Sequence, residues 1–223
     1  MFKRIGLARR WRIGALLLLV GLTAAGACGC HWLFAWAVAP RHPKKTVKAE
    51  YPLEADVLVI VPYAGTDILF NDPTVPLEIS RNIVNLVVPA LGNRVKQIVH
   101  PVQVVRWQES NIEWPNMALV DIARAFKADT VLYVELEHYS MYEERSANLF
   151  RGRVRARIQV VKTSAERNPV YETSIETIFP EDRPVGVLET SERMVRAATN
   201  LDFARDVVRK FYDYEVEVKG GQP

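Results

Sequence analysis

From Asp56 onward, apolar residues recur with two different periods. Asp56 to Tyr63 (DVLVIVPY) is an unbroken Val/Leu/Ile run bounded by Pro62, the pattern of a strand covered on both faces. A loop over residues 64–76 follows. Leu77 to Val88 then places Ile79, Ile83, Leu86 and Val87 on one helical face. Pro89 predicts the end of that helix or a kink in it. Ile98 to Val105 reads as a second short strand. Asn116 is a suitable N-cap for a helix carrying Leu119, Ile122, Ala123 and Phe126 at i, i+3, i+4 and i+7. That helix runs into a third strand over residues 130–139.

The second half alternates with period two. Leu132, Val134 and Leu136 face one way, with Tyr133, Glu135, Glu137 and Tyr139 facing the other. Val154, Ala156, Ile158 and Val160 oppose Arg153, Arg155, Arg157 and Gln159. Tyr171, Ile175 and Phe179 oppose Glu172 and Glu176. These are half-buried strands of an antiparallel meander. A last helix over about residues 191–214 would turn Met194, Ala198, Leu201, Ala204, Val208 and Phe211 inward. The order is βαβαβββα: an α/β sandwich with a mixed sheet and helices packed mainly on one face.

The first forty residues follow another rule. Lys3, Arg4, Arg9, Arg10 and Arg12 precede a stretch from Ile13 to Ala39 with no charged residue. Two readings are open. In one, Ala25-Gly26-Ala27 leads to Cys28, which is cleaved and acylated as in a bacterial lipoprotein; Cys30 is the alternative. In the other, nothing is cut. The run exceeds the roughly 20 residues a membrane helix needs, with Trp32 and Trp36 near the outer interface and the cations inside. Both put the following domain in the periplasm or outside. Residues 1–30 are then the signal or the start of an anchor, 31–54 a tether, 55–214 one α/β domain and 215–223 a flexible tail. The tether rests on three prolines and four further cations over residues 40–54.

Charge changes the picture once the signal is set aside. The whole chain carries +3. Removing the five N-terminal cations from 29 leaves 24 against 26 acids, a net of −2. The folded part is near neutral, so the basic balance does not point to nucleic acid. Arg153, Arg155 and Arg157 are flanked in the meander by Glu135 and Glu137 on one side and by Glu172 and Glu176 on the other, a self-neutralised ladder. Past Cys30 there is no cysteine, which rules out disulfides, thiolate zinc sites and a cysteine nucleophile there.

The four histidines form no ligand-spaced pair, and no nucleophile elbow or phosphate loop appears. Asp67 and Asp72 in the first long loop are weak cation candidates. No catalytic residue, metal or cofactor is expected. The candidates that remain are for docking: Trp107 and Trp114 around QESNIE, and Tyr139, Tyr142 and Phe150 around the hairpin MYEERSANLF.

The block ALVDIARAFKADTVLYVELEHYSM, followed by RGRVRARIQVVKTS and NPVYETSIET, resembles a group of bacterial envelope lipoproteins. That group includes the curli secretion protein CsgG, the penicillin-binding-protein activator LpoB and Neisseria-type lipoproteins. Ala128-Asp129 matches its helix-to-strand junction, and DVLVIVPY its first strand. The resemblance covers roughly residues 55–214. It implies an anticodon-binding-domain-like fold that binds partners rather than catalysing. A curli-type pore needs membrane strands of about 9–11 residues. The charged hairpin from Tyr142 to Phe150 is too short to supply them, so a self-made pore is excluded. The expectation is a non-enzymatic, membrane-tethered envelope protein docking on another envelope protein as an accessory or assembly factor. The alternative is a structural homo-oligomeric subunit of an export or appendage complex.

Overall fold

The unbroken apolar run does form a central strand, and its two-sided burial organises everything around it. A computed structural model describes residues 44–217. The cationic start, Cys28, Cys30, the tether up to residue 43 and the tail beyond 217 lie outside the described residues. The elements are β1 (Lys44–Val47), β2 (Ala55–Ala64), α1 (Thr66–Asn71), α2 (Val75–Leu91), β3 (Val95–Ile98), α3 (Pro101–Ser110), α4 (Leu119–Ala125), β4 (Thr130–Tyr142), β5 (Leu149–Lys162), β6 (Tyr171–Phe179), β7 (Val185–Gly186), α5 (Glu192–Arg209) and β8 (Tyr214–Glu217). The main sheet runs β3-β2-β4-β5-β6, with β7 beside β5; β1 and β8 make a separate two-stranded sheet. β2 is parallel to β3 and to β4, while β4–β5 and β5–β6 are antiparallel. No helix among the described residues is long and apolar enough to cross a membrane.

Helices cover both faces of the parallel half, which corrects the expectation of one main face. Leu58, Ile60 and Ala64 of β2 share a core with Ile79 and Ile83 of α2 and Phe203 and Val207 of α5. Val59 and Val61, pointing the other way, pack with Val104 of α3 and Ile122 and Ala123 of α4. A strand buried on both sides needs a second cover, and α3 provides it. The segment read as a strand over 98–105 is instead short β3 followed by α3. Pro101 stands at the first helical turn, where its missing N–H costs nothing. His100 caps that turn, its Nδ1 accepting the Val102 N–H at 3.3 Å. The buried positions Pro101, Val104 and Gln108 have helical spacing.

Other boundaries shift for local reasons. α1 lies within the stretch read as loop. Pro89 does not stop α2, which continues to Leu91 and ends at Gly92 with φ +52°. Pro89 and Asn85, four residues earlier, are both exposed, so water can bond the carbonyl that lost its donor. Asn116 lies in a 3₁₀ turn, and Ala118 is the residue before α4.

In α5 the inner face is Val195, Thr199, Asn200, Phe203, Ala204, Val207 and Val208. Met194 and Leu201, read as inward, are exposed. The helix hides two polar residues in the core. Thr199 donates its hydroxyl to the Val195 carbonyl at 2.8 Å. Asn200 accepts from the Tyr139 hydroxyl and donates to Glu78, both at 3.0 Å.

The antiparallel half leaves one face bare, and the charge ladder occupies it as its alternation predicts. Arg157 lies 3.3 Å from Glu137, 3.8 Å from Glu135 and 3.9 Å from Glu172, while Arg155 lies 3.6 Å from Glu137. All are partly solvated, so each pair contributes little. Arg157→Ala is expected to cost less than about 1 kcal/mol, a shift of no more than about 4 °C in the thermal midpoint. A larger drop on melting would show that the ladder holds the strands together.

The fold also reaches back before Asp56. Glu50 and Tyr51 donate their backbone N–H groups to the Lys210 carbonyl at 2.9 and 3.0 Å. Lys48 bonds Asp213 at 2.6 Å, Tyr171 donates its hydroxyl to Glu50 at 2.7 Å, and Leu53 is fully buried. The compact unit is Thr46–Glu215, and Leu53, within the stretch read as tether, is part of its core.

Candidate docking surface

The carboxyl ends of the parallel strands are where the chain brings exposed apolar residues together. β2 and β4 run in register to Ala64 and Leu136. Past that line β2 gives way to α1, and β4 continues to the turn into β5. α5 begins at the same end. The Tyr142 hydroxyl donates to Glu192 at 2.8 Å, and Arg196 reaches back to Asp72 just after α1. A cleft of about 300 Å³ lies between them, lined by Asn71, Asp72, Tyr139, Tyr142, Glu192 and Arg196. Met141, Phe150 and Val195 form a small buried cluster against it.

A bulge sets the floor of the cleft. Leu136 opposes Ala156, but His138 opposes Arg155, so Glu137 is an extra residue on β4. Alternation restarts out of phase beyond it. Tyr139, expected on the polar face beside Glu135, therefore opposes Val154 on the helix-covered face. Burial pushes its hydroxyl above the ordinary tyrosine range.

Burial also opposes the Arg196 charge, but Glu192 and Asp72 more than offset it and hold the guanidinium firmly protonated. Glu192 is held below the usual carboxylate range by Arg196 and then by the Tyr142 hydroxyl. The cleft thus contains a charge-compensated cluster whose members serve one another. The Ser140 hydroxyl donates to the Tyr142 carbonyl at 3.2 Å. Among the described residues no group of three or more His, Asp or Glu side chains is placed to hold a metal ion.

Around this cluster the surface is apolar. Phe70 at the end of α1 is 88% exposed, Leu188 100%, Met194 67% and Tyr142 42%. Leu69, Leu149 and Val187 add to them. Leu188 belongs here because Val187 donates its N–H to the Asn148 carbonyl in the β4–β5 turn and β7 pairs with Leu149 and Phe150. Solvated phenylalanine and leucine side chains in one region are the informative kind of exposure.

The structure divides the expected docking residues. Tyr142 is on this rim. Phe150 is buried beneath it, ring centroids 5.2 Å apart, and Tyr139 is the floor. Trp107 and Trp114 are elsewhere, half-buried against the α3–α4 core. Trp107 meets Phe126 edge-on at 5.2 Å, and Trp114 meets Tyr63 at 5.6 Å. Phe70, Leu188 and Met194 carry the largest apolar exposure here, and the periodic pattern did not point to them. Phe70 falls in the stretch read as loop, Met194 was assigned to the inner face, and Leu188 lies between elements. The apolar run Ile68-Leu69-Phe70 inside a stretch read as loop was the available signal.

The opposite end of the unit differs. Residues 48–51 bond Lys210 and Asp213 there, where α5 finishes. The surroundings are polar: Glu54, Asp56, Asn93, Arg94, Lys96 and Asp129 line a second cleft. β2 has 10 residues, so its two ends are about 33 Å apart along the strand.

No protein-family model and no curated protein matches the sequence. Among solved structures, the PelC dodecamer from Paraburkholderia phytofirmans is similar at 11% identity, covering 76% of this chain and 98% of that one with a TM-score of 0.40. Lipoprotein GNA1162 from Neisseria meningitidis is similar at 11% identity, covering 68% and 97%, TM-score 0.43. Uncharacterized lipoprotein B from Nitrosomonas europaea is similar at 13% identity, covering 73% and 84%, TM-score 0.33. The neighbours include bacterial lipoproteins, the kind of protein the sequence resembles. At these scores the likeness carries no argument about activity.

Proposed function

We propose that this protein is a non-enzymatic, membrane-tethered component of the bacterial cell envelope whose carboxyl-end surface docks onto another envelope protein. The observation that carries this reading is the exposed set Phe70, Leu188, Met194 and Tyr142 at the carboxyl ends of the parallel strands. Its partner is a protein surface rather than a bilayer. Asp67, Glu143, Glu144, Glu181, Asp182 and Glu189 sit in the same connections, and an anionic membrane attracts basic segments, not acidic ones. Exposed aromatic and apolar side chains beside a charge-compensated cluster suit burial against a protein surface. The cationic, then apolar N-terminus supports the tether, through an acylated Cys28 or an uncleaved helix.

A photo-crosslinking residue in place of Leu188 in the full, membrane-borne chain tests this. The expected result is one recurrent envelope protein in near-unit ratio. Phe70→Ser with Met194→Ser should cut its capture about tenfold or more, by analogy with interface hot spots, and leave the thermal midpoint nearly unchanged. Capture that ignores those substitutions, or yields only this chain, would overturn the docking surface.

A further inference from the structure

The two edges of the main sheet are built differently. β3, at one edge, has 4 residues with Lys96 among them. Shortness and lysine are usual protections of an edge against pairing. β6, at the other edge, has 9 residues, YETSIETIF, with no lysine or proline among them. Among the described residues no strand lies beyond it. Among the described residues no backbone hydrogen bond from outside the sheet reaches residues 171–179. A cleft of about 330 Å³ runs beside its centre, with Val47 of β1, Tyr214 of β8 and the end of α5 on its other wall, while Ser174 and Glu176 stay exposed on the open face.

The strand is also complementary to itself. We propose that β6 pairs antiparallel with β6 of a second copy of this chain about Ile175, joining two sheets into one across a two-fold axis. In that register Ile175 meets Ile175 and Thr173 meets the second copy's Thr177. Tyr171 meets the second copy's Phe179, all on the helix-covered face. On the open face Ser174 meets the second copy's Glu176, where the hydroxyl donates to the carboxylate, and Glu172 meets Ile178. Thr–Thr, aromatic and hydroxyl–carboxylate pairs of this kind favour pairing.

Neighbouring registers are worse. Moving by one residue turns the glutamates onto the apolar face. Moving by two in one direction sets Glu172 against Glu176, and in the other sets Glu176 against itself. The central register is the full-length one that avoids facing like charges. Such a dimer is an isologous contact. It uses the sheet edge and leaves the Phe70–Leu188 rim free, so it stands apart from the docking reading.

Sedimentation of the full chain in detergent over a range of concentrations tests the pairing. The expected result is a monomer–dimer equilibrium. Ser174→Glu faces Glu176 twice per dimer and should weaken it about tenfold. Adding Glu176→Lys to Ser174→Glu should restore it, and Ser174→Lys alone should tighten it. Ser174 and Glu176 are exposed in the single copy, and circular dichroism checks that each variant stays folded. If Ser174→Glu unfolds, the tightening by Ser174→Lys decides. A monomer at every concentration, or an oligomer unmoved by these changes, would overturn the proposal.

Discussion

Gly152→Ala is expected to lower the unfolding free energy by about 3 kcal/mol, at the top of the range for inserting one carbon into a packed core. The residue stands on β5 directly beneath α5. A Cβ added there would lie 1.9 Å from the Thr199 hydroxyl oxygen and 2.8 Å from both Thr199 Cβ and Cγ2. Thr199 cannot rotate away cheaply, because its hydroxyl bonds the Val195 carbonyl and its neighbour Asn200 is held between Tyr139 and Glu78. The helix must therefore lift, loosening Phe203 and Val207 from the sheet. For a domain of this size the thermal midpoint should fall by about 6–12 °C. Thr199→Ala in the same chain should recover only part of the loss, since its Cβ remains in the way. An unchanged midpoint for Gly152→Ala would mean that the close approach of α5 to β5 does not exist in solution.

Leu53→Ala is the second large effect, at about 2–4 kcal/mol for a fully buried leucine. The same change at Lys45, an exposed residue, should be nearly neutral. Denaturant titration of both variants separates the two sites. If Leu53→Ala is also neutral, residues before Asp56 are a tether after all. The expected loss arises because the main core contains Leu53 together with Leu58 and Phe211. The preceding backbone is stitched to Lys210 and Asp213.

These two sites show where the sequence was readable. Residues whose pattern reflects a single constraint were legible. The β2 run, the alternation of β5 and the charge ladder all read correctly, because burial alone decides which way each side chain faces. Residues answering to two constraints were not. Asn200 is polar because it bonds across the core and Thr199 because its hydroxyl bonds back to its own helix, so the apolar count along α5 rotated the inner face toward Met194 and Leu201. Glu137 is a bulge that no periodicity announces, and it moved Tyr139 to the other face.

Pro101 and the valines after it look like a strand by propensity. The helix there is decided by the His100 cap and by the unfilled side of β2, which is tertiary context. The docking rim was half-read for the same reason. Tyr142 and Phe150 announce themselves as aromatics in a hairpin, whereas Leu188 gains its meaning only from β7 pairing with β5.

The position of β2 also determines how the unit would bear tension. A partner gripping Phe70 would pull just past one end of β2, and tension carried along residues 46–54 would reach its other end at Ala55. β2 is bonded along both edges, with parallel partners from Leu58 to Ala64 on the β4 side and from Ala55 to Leu58 on the β3 side. Force applied along it loads those ladders in shear, so the bonds share the strain instead of opening one after another as in a peeled hairpin. The strand that organises the core is thereby also the part best placed to act as a mechanical clamp between an envelope anchor and whatever it holds.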